Sequence, residues 1–216
     1  MKAIIADLKT SVLLTVILVL VCCGAYPLAV WAGAQAFFSD TANGSLIVGK
    51  DGAVVGSRLL AQNFSSDKYF QPRPSAAGAG YDASNSGGTN YGPTSDKLAN
   101  GSHAKDKNGK DMNDPNNFDG IRDLVAAYRT GNGLGNGDPV PADAVTRSGS
   151  GLDPHISPAN ARLQAPRVAR ARHLDLSAVE GLIAAHTDGR DLGIFGEAGV
   201  NVLMLNLALD SLPKSE

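Results

Sequence analysis

The chain has 216 residues, of which 43% are hydrophobic, and a formal net charge of −2 from 19 basic and 21 acidic side chains. This near balance argues against nucleic acid as a partner, because phosphate binding needs a concentrated basic face. The only cysteines, Cys22 and Cys23, lie in an apolar stretch, so the rest of the chain carries neither a disulfide nor thiolate chemistry.

An uncharged, apolar stretch from residue 11 to residue 38 dominates the N-terminal part of the chain. It is longer than the about 20 apolar residues that a helix needs to cross a bilayer core. A helix also satisfies its own backbone hydrogen bonds in hydrocarbon. The stretch therefore predicts one transmembrane helix, which Pro27 is expected to kink next to Gly24.

The residues that flank this stretch predict its orientation. Lys2 and Lys9 precede it, and Trp31 lies toward its far end, where aromatic side chains gather at the membrane interface. By the positive-inside rule, residues 1–10 are a cytoplasmic tail, too short to fold. Residues 39–216 are then one extracytoplasmic domain on the outside of the inner (plasma) membrane.

Two other interpretations of the apolar stretch stay open. One is a cleaved signal peptide, because Ala32-Gly33-Ala34 resembles a cleavage site. The apolar run before it, however, exceeds the about 7–15 residues of a signal peptide. The other is a lipoprotein signal ending at Cys22 or Cys23, although neither follows a small residue. Cleavage after Ala34 would release a secreted extracytoplasmic enzyme or a calcium-binding module.

The first elements after the apolar stretch are two short β-rich runs at residues 45–49 and 53–57. Asp51-Gly52 between them favours a two-residue type I′ turn, so the pair predicts a β-hairpin. The next residues, 58–64, are predicted to form a short helix, because their leucines and Phe64 fall near one face.

Residues 65–93 predict an irregular but ordered loop. Their prolines and glycines exclude long helices and strands, yet the segment is richer in aromatic side chains than a disordered linker. The aromatic side chains either pin the loop to its own domain or offer a surface to a partner. They are Tyr69, Phe70, Tyr81 and Tyr91.

Residues 94–120 predict a mobile polar insertion, because hydrophobic side chains are almost absent from them. The insertion contains many candidate calcium ligands. An EF-hand loop needs a glycine at its sixth position and a glutamate at its twelfth. Counted from Asp106, these positions hold Asp111 and Asn117, so an EF-hand is not favoured. The candidate ligands are Asp106, Asn108, Asp111, Asn113 and Asp114.

A helix is predicted from residue 118 or 119 to about Arg129, with apolar residues at helical spacing, and Gly131 is expected to end it. The glycine-rich loop at residues 131–137 lacks the lysine and hydroxyl pair of a phosphate-binding loop. Residues 140–145 predict either a short edge segment or a turn of helix.

Three further helices are predicted in the C-terminal part of the chain. Ser157-Pro158 is a strong helix start, with serine as N-cap and proline at the first helical position. Pro166 is expected to bend or divide that helix. Ser177 and Glu180 form a capping box for the second helix, and Asn201 is the N-cap of the third. The helices span residues 158–172, 177–186 and 200–210.

One loop combines residue types that hydrolases use, namely Ser148, Ser150, Asp153 and His155. The nucleophile-elbow pattern is absent, because glycine does not stand two residues to either side of Ser150. Catalytic triads are also rarely assembled within eight consecutive residues. Hydrogen bonds that fix the loop are therefore the favoured interpretation, and no histidine shows metal-ligand spacing.

Several sequence motifs, in this order, closely resemble the C subunit of the Kdp-type potassium-transporting ATPase. The resemblance covers nearly the whole chain and departs from the family pattern at residues 94–120, which are longer and more polar. The motifs are Gly24-Ala-Tyr-Pro-Leu28, Asn43-Gly-Ser-Leu-Ile47, Gly56-Ser57, Gln62-Asn-Phe64, Tyr69-Phe70, Arg73-Pro-Ser-Ala76, Ser86-Gly-Gly-Thr-Asn90, Ser150-Gly-Leu-Asp153, Ile156-Ser-Pro158, Arg167-Val-Ala169 and residues 201–209.

This resemblance implies a non-catalytic accessory subunit of an ATP-driven potassium uptake pump. The implied partners are a potassium-translocating A subunit, an ATP-hydrolysing B subunit and a small F subunit. The implied role is to assemble and stabilise the complex and to raise the ATP affinity of the hydrolysing subunit. ATP and potassium are thus implied for the whole complex, and no cofactor or metal is expected on this chain.

The candidate site residues follow from the motifs and the topology. Ser86-Gly87-Gly88 resembles part of the signature motif of ABC-type ATPases and, with Asn90, is a weak candidate for ATP contact. Eight residues are candidates for contact with a partner subunit: Tyr26, Pro27, Trp31, Tyr69, Phe70, Arg73, Asp153 and His155. The expected fold class is α+β, with one N-terminal transmembrane helix and a single extracytoplasmic domain that contains a β-hairpin and several helices.

Overall fold

A computed structural model describes residues 2–49, 51–109, 112, 114 and 117–212. It has one long N-terminal apolar helix, followed by helices and small antiparallel sheets, so the α+β prediction is confirmed. The chain divides into two units, Met1–Ser57 and Arg58–Glu216.

The first unit begins with a helix of 36 residues, Lys2–Phe37, which is long and apolar enough to cross a membrane. It consists of α1 (Lys2–Leu18), a π-helical segment (Val19–Ala25) and α2 (Tyr26–Phe37). The prediction that residues 1–10 are too short to fold is wrong for the described residues, which are helical from Lys2 onward. No glycine or proline interrupts these residues, and extending a helix costs little once it has nucleated.

The π-helical segment lies where the sequence predicts a kink. Tyr26 N–H bonds to the carbonyl of Val21, five residues back, instead of four. Pro27, which follows, has no N–H, and its ring would clash with the carbonyl four residues back in a regular α-helix. The wider π-turn relieves this clash.

The predicted hairpin is confirmed after a short helix, α3 (Ser39–Ala42). Strands β1 (Leu46–Val48) and β2 (Val54–Ser57) pair antiparallel, with a bulge between Ile47 and Val48. The predicted two-residue turn is wrong. Gly49 N–H donates to the Ala53 carbonyl at 2.8 Å and Gly52 N–H to the Gly49 carbonyl at 3.0 Å. The connection thus contains three residues and ends on Gly52 in the left-handed region.

Three helices form the core of the second unit: α7 (Pro158–Arg172), α8 (Leu176–Ala185) and α9 (Val202–Ser211). A small antiparallel sheet packs with them, in the order β3 (His155–Ile156), β5 (Gly199–Asn201) and β4 (Thr187–Asp188). The buried apolar side chains of this core, to which a loop adds Phe70, are Phe70, Ile156, Ala161, Ala165, Val168, Ala169, Val179, Ile183, Val200, Val202, Leu205 and Leu209.

The ends of these core helices test the predicted caps. Ser157 and Asn201 act as N-caps, accepting from Asn160 N–H and Met204 N–H at 3.1 Å each. The capping box at Ser177 is wrong, because the N-cap of α8 is Asp175, two residues earlier, and the helix begins at Leu176. Pro166 does not divide α7, which stays continuous because its buried alanines and valine hold it in the core.

Three more helices complete the second unit: α4 (Asp96–Asn100), α5 (Ile121–Asn132) and α6 (Ala142–Val145). Helix α6 confirms the helical alternative for residues 140–145. Helix α5 passes through Gly131, where it was expected to end, and stops at Gly133, whose φ is +69°. Either glycine permits a left-handed cap, but the Asn132 side chain is buried and its amide bonds to the Tyr128 carbonyl, which extends the helix to residue 132.

Two segments differ from the prediction in regular structure. Residues 58–64 are not helical, because Ala61 N–H donates to the distant Leu152 carbonyl at 2.9 Å instead of closing a helical turn. The described part of the insertion at residues 94–120 contains α4 and a bridge in which Ser102 and Phe118 exchange two backbone hydrogen bonds. Mobility of the insertion stays a prediction, and calcium candidates Asp111 and Asn113 lie outside the described residues.

Candidate functional site

A segment at residues 67–73, here called the strap, crosses helices α7 and α9 outside any sheet; it leaves a turn in which Tyr69 N–H donates to the Ser66 carbonyl at 3.0 Å and continues without regular structure. Buried backbone groups need hydrogen-bond partners, and a strand finds them on its neighbour. The strap finds them on side chains. Five side chains hold its backbone: Gln164, Arg167 and Arg172 from α7, Asn206 from α9, and Tyr81 from the following loop.

Two buried carboxamides each bind both backbone groups of one strap residue. Phe70 N–H donates to Asn206 Oδ1 at 2.9 Å, and Asn206 Nδ2 donates to the Phe70 carbonyl at 2.9 Å. Gln164 makes the same pair with Gln71, at 2.8 and 3.0 Å. A carboxamide presents one donor and one acceptor side by side, so each amide replaces a residue of a missing partner strand.

Two arginines bind the strap carbonyls on the N-terminal side of this pair. Arg167 Nη1 donates to the carbonyls of residues 67 and 69, at 2.7 and 3.1 Å, and Arg172 Nε to the carbonyl of Lys68, at 2.6 Å. Arg167 is only 7% exposed, and this burial lowers its pKa from the ordinary value, while the nearby charge of Asp67 opposes the change. Its several donors match the carbonyls that crowd one end of the strap.

The side chains that hold the strap, here called the clamp, are in turn connected to α5 and α6. Asn160 is buried and its side chain accepts from Tyr128 Oη at 2.8 Å and donates to Asp143 Oδ2 at 2.9 Å. Arg167 Nε donates to Asn132 Oδ1 at 3.0 Å. Burial raises the pKa of Tyr128, and the charge of Asp143 adds to this effect. Tyr128 therefore stays a neutral donor that ties α5 to Asn160 of α7.

A groove of about 350 Å³ opens between the strap and helix α5. Its lining is mixed, with Phe64, Pro72 and Leu124 among the apolar residues and Gln164 and Arg167 among the polar ones. These polar side chains already bond to the strap and to each other. Gln164 and Arg167 are therefore engaged in holding the strap.

Three of the candidate partner-contact residues lie together. Arg73 Nη1 pairs with Asp153 Oδ2 at 2.9 Å and Arg73 also binds the Thr146 carbonyl. Asp153 Oδ1 accepts from the backbone N–H of His155 at 3.0 Å, and the His155 side chain is 39% exposed. This group closes the strap at its C-terminal end and keeps a partly open surface.

The remaining partner-contact candidates separate into exposed and buried residues. Tyr26 and Trp31 are exposed on the long apolar helix, and Pro27 lies beside them. Tyr69 is half-buried, stacks under the Arg172 guanidinium at 4.7 Å and donates to Asp210 at 3.0 Å. Burial, and then its bond to Asp210, raise the pKa of Tyr69. Phe70 is fully buried in the core of its own unit, so it has no surface to offer a partner.

The candidate ATP-contact residues pack against the loop at residues 148–151. Ser86 Oγ and Gly87 N–H both donate to the Ser150 carbonyl, at 2.9 Å each. A Cβ added to Gly88 would lie 3.1 Å from the Gly149 carbonyl oxygen, so this glycine permits close contact between two backbones. Asn90 is exposed in the left-handed region. The motif thus serves a loop–loop contact inside the domain.

The residue types suggestive of a hydrolase are used within the same loops. Ser150 Oγ accepts from Leu152 N–H at 3.1 Å and lies 3.4 Å from Ser148 Oγ. Among the residues that the structure describes, the polar contacts of the His155 ring are with Asp153 and Asp188. The observed contacts are hydrogen bonds that fix the loop, which is the interpretation that the sequence favours.

One polar cluster was missed by sequence reasoning. His103 Nε2 lies 3.1 Å from Asp123 Oδ2 and 3.8 Å from Asp119 Oδ1. Asp123 Oδ2 also accepts the N–H of Gly120 at the start of α5. The hydrogen bond from His103, and then that from Gly120, hold the pKa of Asp123 below its ordinary value. The residues are too far apart in sequence for a local pattern to indicate this contact.

The chain is similar to known proteins over most of its length. The sequence profile of the family "K+-transporting ATPase, c chain" matches residues 8–211. The chain is 51% identical over 187 residues to the potassium-transporting ATPase KdpC subunit of Mycobacterium tuberculosis, covering 87% of this chain and 88% of the relative. It is 46% identical over 204 residues to the KdpC subunit of Koribacter versatilis and 48% identical over 203 residues to that of Rhodospirillum rubrum, covering 94% of each chain in both pairs.

Proposed function

Because the chain belongs to the KdpC family and is therefore a membrane-associated accessory subunit of a potassium-transporting ATPase complex, we propose that it is non-catalytic and that it assembles and stabilises the pump. The proposed partners are the potassium-translocating A subunit, the ATP-hydrolysing B subunit and the small F subunit. The alternative of a released enzyme or calcium-binding module receives no support from the comparisons.

The observation that carries this proposal is the helix Lys2–Phe37, none of whose apolar window is buried inside the chain. Such a surface is stable only when lipid or other membrane helices cover it. Tyr26 and Trp31 project from this helix and are proposed contacts with the transport subunit. A subunit that inserts one bare helix into a complex contributes assembly energy without a reaction of its own.

We propose an inner-membrane orientation with the N-terminus in the cytoplasm and the domain outside. The lysines at positions 2 and 9 precede the apolar stretch, which by the positive-inside rule favours this direction of insertion. The domain would then form an outer cap near the external entrance for potassium. The partly open group of Arg73, Asp153 and His155 is a candidate contact in that position.

We further propose that any effect on ATP affinity acts through the membrane helix. ATP is cytoplasmic, so an external domain would not meet it. The Gly87 amide, which a phosphate-binding role would require, already donates to the Ser150 carbonyl. On this proposal Ser86→Ala leaves the apparent affinity of the purified pump for ATP unchanged, and a tenfold loss would favour direct contact.

Co-purification tests the assembly role. A tag placed after residue 216, low-potassium growth and extraction in mild detergent should recover a P-type ATPase and a channel-like subunit in stoichiometric amounts with the tagged chain. Recovery of the chain alone, or of a soluble form that begins at Gln35, would overturn the proposal. A matched control places the same tag on an unrelated single-span membrane protein.

Reporter fusions test the orientation separately. Alkaline phosphatase fused after residue 216 should be active, because this enzyme needs an oxidising compartment for its disulfides. A fluorescent protein that matures only in the cytoplasm should stay dark at the same position. The reverse pattern would place the domain inside the cell and remove the outer-cap proposal while leaving the assembly role standing.

A further inference from the structure

The loop between β4 and β5 exposes large apolar side chains at its end. Leu192 is 88% exposed, Ile194 is 70% exposed and Phe195 is 62% exposed. Among the described residues of the unit Arg58–Glu216, no other large hydrophobic side chain is as exposed as these three. Single exposed apolar side chains are common, but clustered ones mark interaction sites. We call residues 190–197 the apolar tip.

The apolar tip is closed by its own hydrogen bonds. Asp191 and Phe195 exchange two backbone hydrogen bonds at 2.9 Å, and Gly193 N–H donates to the Arg190 carbonyl at 3.0 Å. Arg190 pairs with both carboxylate oxygens of Glu197, at 2.8 and 2.6 Å. A loop fixed in this way loses little conformational entropy on binding, so its apolar side chains are already presented for contact.

Leu192 is not explained by the stability of the chain itself. Its φ is +53°, in the left-handed region that glycine or asparagine occupies more readily than leucine. The side chain at this unfavourable position is almost completely in solvent. A leucine at this position neither favours the backbone conformation nor becomes buried on folding. Contact with a surface outside the chain is therefore the remaining reason for its apolar character.

The charges around the tip favour a protein over a lipid surface. Arg190 is already paired with Glu197, and Asp188 lies 3.5 Å from His155 Nε2, which leaves Asp191 as the other charged side chain of residues 188–197. Anionic lipid surfaces attract clusters of lysine and arginine, and tryptophan and tyrosine mark membrane interfaces. The tip has none of these features. Its complement is an apolar patch with basic groups at the rim.

We propose that the apolar tip inserts its three side chains into an apolar socket, rimmed by lysine or arginine, on another subunit of the pump. The inference rests on the proposed assembly role and names the surface through which the domain performs it. Buried aromatic and aliphatic anchors surrounded by polar contacts carry most of the binding energy in protein interfaces. Phe195 and Leu192 are the anchors, and Asp191 supplies the complementary charge.

Co-purification of a tip variant tests the proposal. The tagged full chain with Leu192→Ser, Ile194→Ser and Phe195→Ser together should recover at least about tenfold less of the partner subunits after detergent washing, because anchor residues dominate interface energy. Its melting temperature should equal that of the wild type, since the three side chains are exposed. The matched control Leu176→Ser, a change of an exposed leucine on α8, should recover the partners fully.

The outcomes separate this proposal from the assembly role. If the wild-type chain elutes alone, the assembly role fails. If the wild type and the triple variant recover the partners equally, only the tip proposal is overturned. Asp191→Lys should also reduce recovery, and more than Asp191→Asn does, because it places a positive charge against a basic rim.

Photo-crosslinking identifies what covers the tip in intact membranes. A benzophenone amino acid at position 192, introduced into the full complex, should crosslink to another pump subunit, and the same probe at position 176 should not. Crosslinks to lipid alone, or to a second copy of this chain, would overturn the proposal. This readout does not depend on the survival of the complex in detergent.

Discussion

The strap at residues 67–73 and the apolar tip at residues 190–197 are both irregular segments, but the strap buries its apolar side chain Phe70 whereas the tip exposes its apolar side chains. Phe70 of the strap is completely buried, and the backbone of the strap is hydrogen-bonded to side chains of the core helices. The tip satisfies its backbone within itself and leaves Leu192 and Phe195 in solvent. Loop conformation alone therefore does not tell whether an aromatic residue stabilises the fold or recognises a partner.

The largest test of this contrast replaces one phenylalanine in each segment by alanine. Phe70→Ala should lower the free energy of unfolding by about 3–5 kcal/mol, because it opens a cavity in a fully packed core. Phe195→Ala should change it by less than about 0.5 kcal/mol. Chemical denaturation of the full chain in detergent, followed by circular dichroism, measures both. Equal losses would mean that the tip is part of the core.

The second test removes one carboxamide from the clamp. Asn206→Ala leaves the buried N–H and carbonyl of Phe70 without partners, which should cost about 2–4 kcal/mol of unfolding free energy. The control Asn136→Ala changes an exposed asparagine in the loop after α5 and should have little effect. A loss of less than 1 kcal/mol, on the order of one ordinary hydrogen bond, would show that water replaces the amide.

A smaller effect is expected at the C-terminal end of the strap. The Arg73–Asp153 pair is partly exposed, so its coupling energy in a double-mutant cycle should be about 0.5–1 kcal/mol. The cycle compares Arg73→Ala, Asp153→Ala and the double variant by denaturation. The same variants should reduce partner recovery if this group also contacts the pump, and unchanged recovery would restrict the pair to fold stability.

The smallest effect concerns the contact between the insertion and helix α5. His103 and Gly120 hydrogen bonds lower the pKa of Asp123 in the folded chain, so ionised Asp123 stabilises the fold above the unfolded-state pKa of about 4. This contribution is lost as the pH falls through the lower folded-state pKa. The stability difference between wild type and Asp123→Asn should therefore shrink on acidification. Such carboxylates titrate between about pH 6 and about pH 2.5. A stability difference that stays constant over this range would contradict the assignment.

Most elements with local signals were predicted from the sequence. The apolar stretch, the β-hairpin and the N-caps Ser157 and Asn201 each depend on a few neighbouring residues. The helix predicted at residues 58–64 failed because a single long-range bond, from Ala61 N–H to the Leu152 carbonyl, outweighed its weak local pattern. The two- and three-residue strands of the second sheet were missed because they are too short for an alternating pattern.

The candidate site was also predicted only in part from the sequence. The sequence identified the aromatic loop, and it placed Arg73, Asp153 and His155 among the candidate residues, but it did not separate the buried Phe70 from the half-buried Tyr69. It also gave no role to Leu192, Ile194 and Phe195. Their exposure depends on a loop that closes on itself, and an apolar run in a sequence does not distinguish a core from a projecting tip.

The sequence by itself determined the long apolar helix, the hairpin, the N-caps Ser157 and Asn201 and the family, because these depend on side chains within a few residues of each other or on motifs that occur in order. Only the tertiary structure decided how the strap is held and what the tip exposes. The carboxamides of Gln164 and Asn206 reach the strap across 93 and 136 residues of chain. Hydrogen bonds and burial act through space, and the packing of distant helices sets those distances.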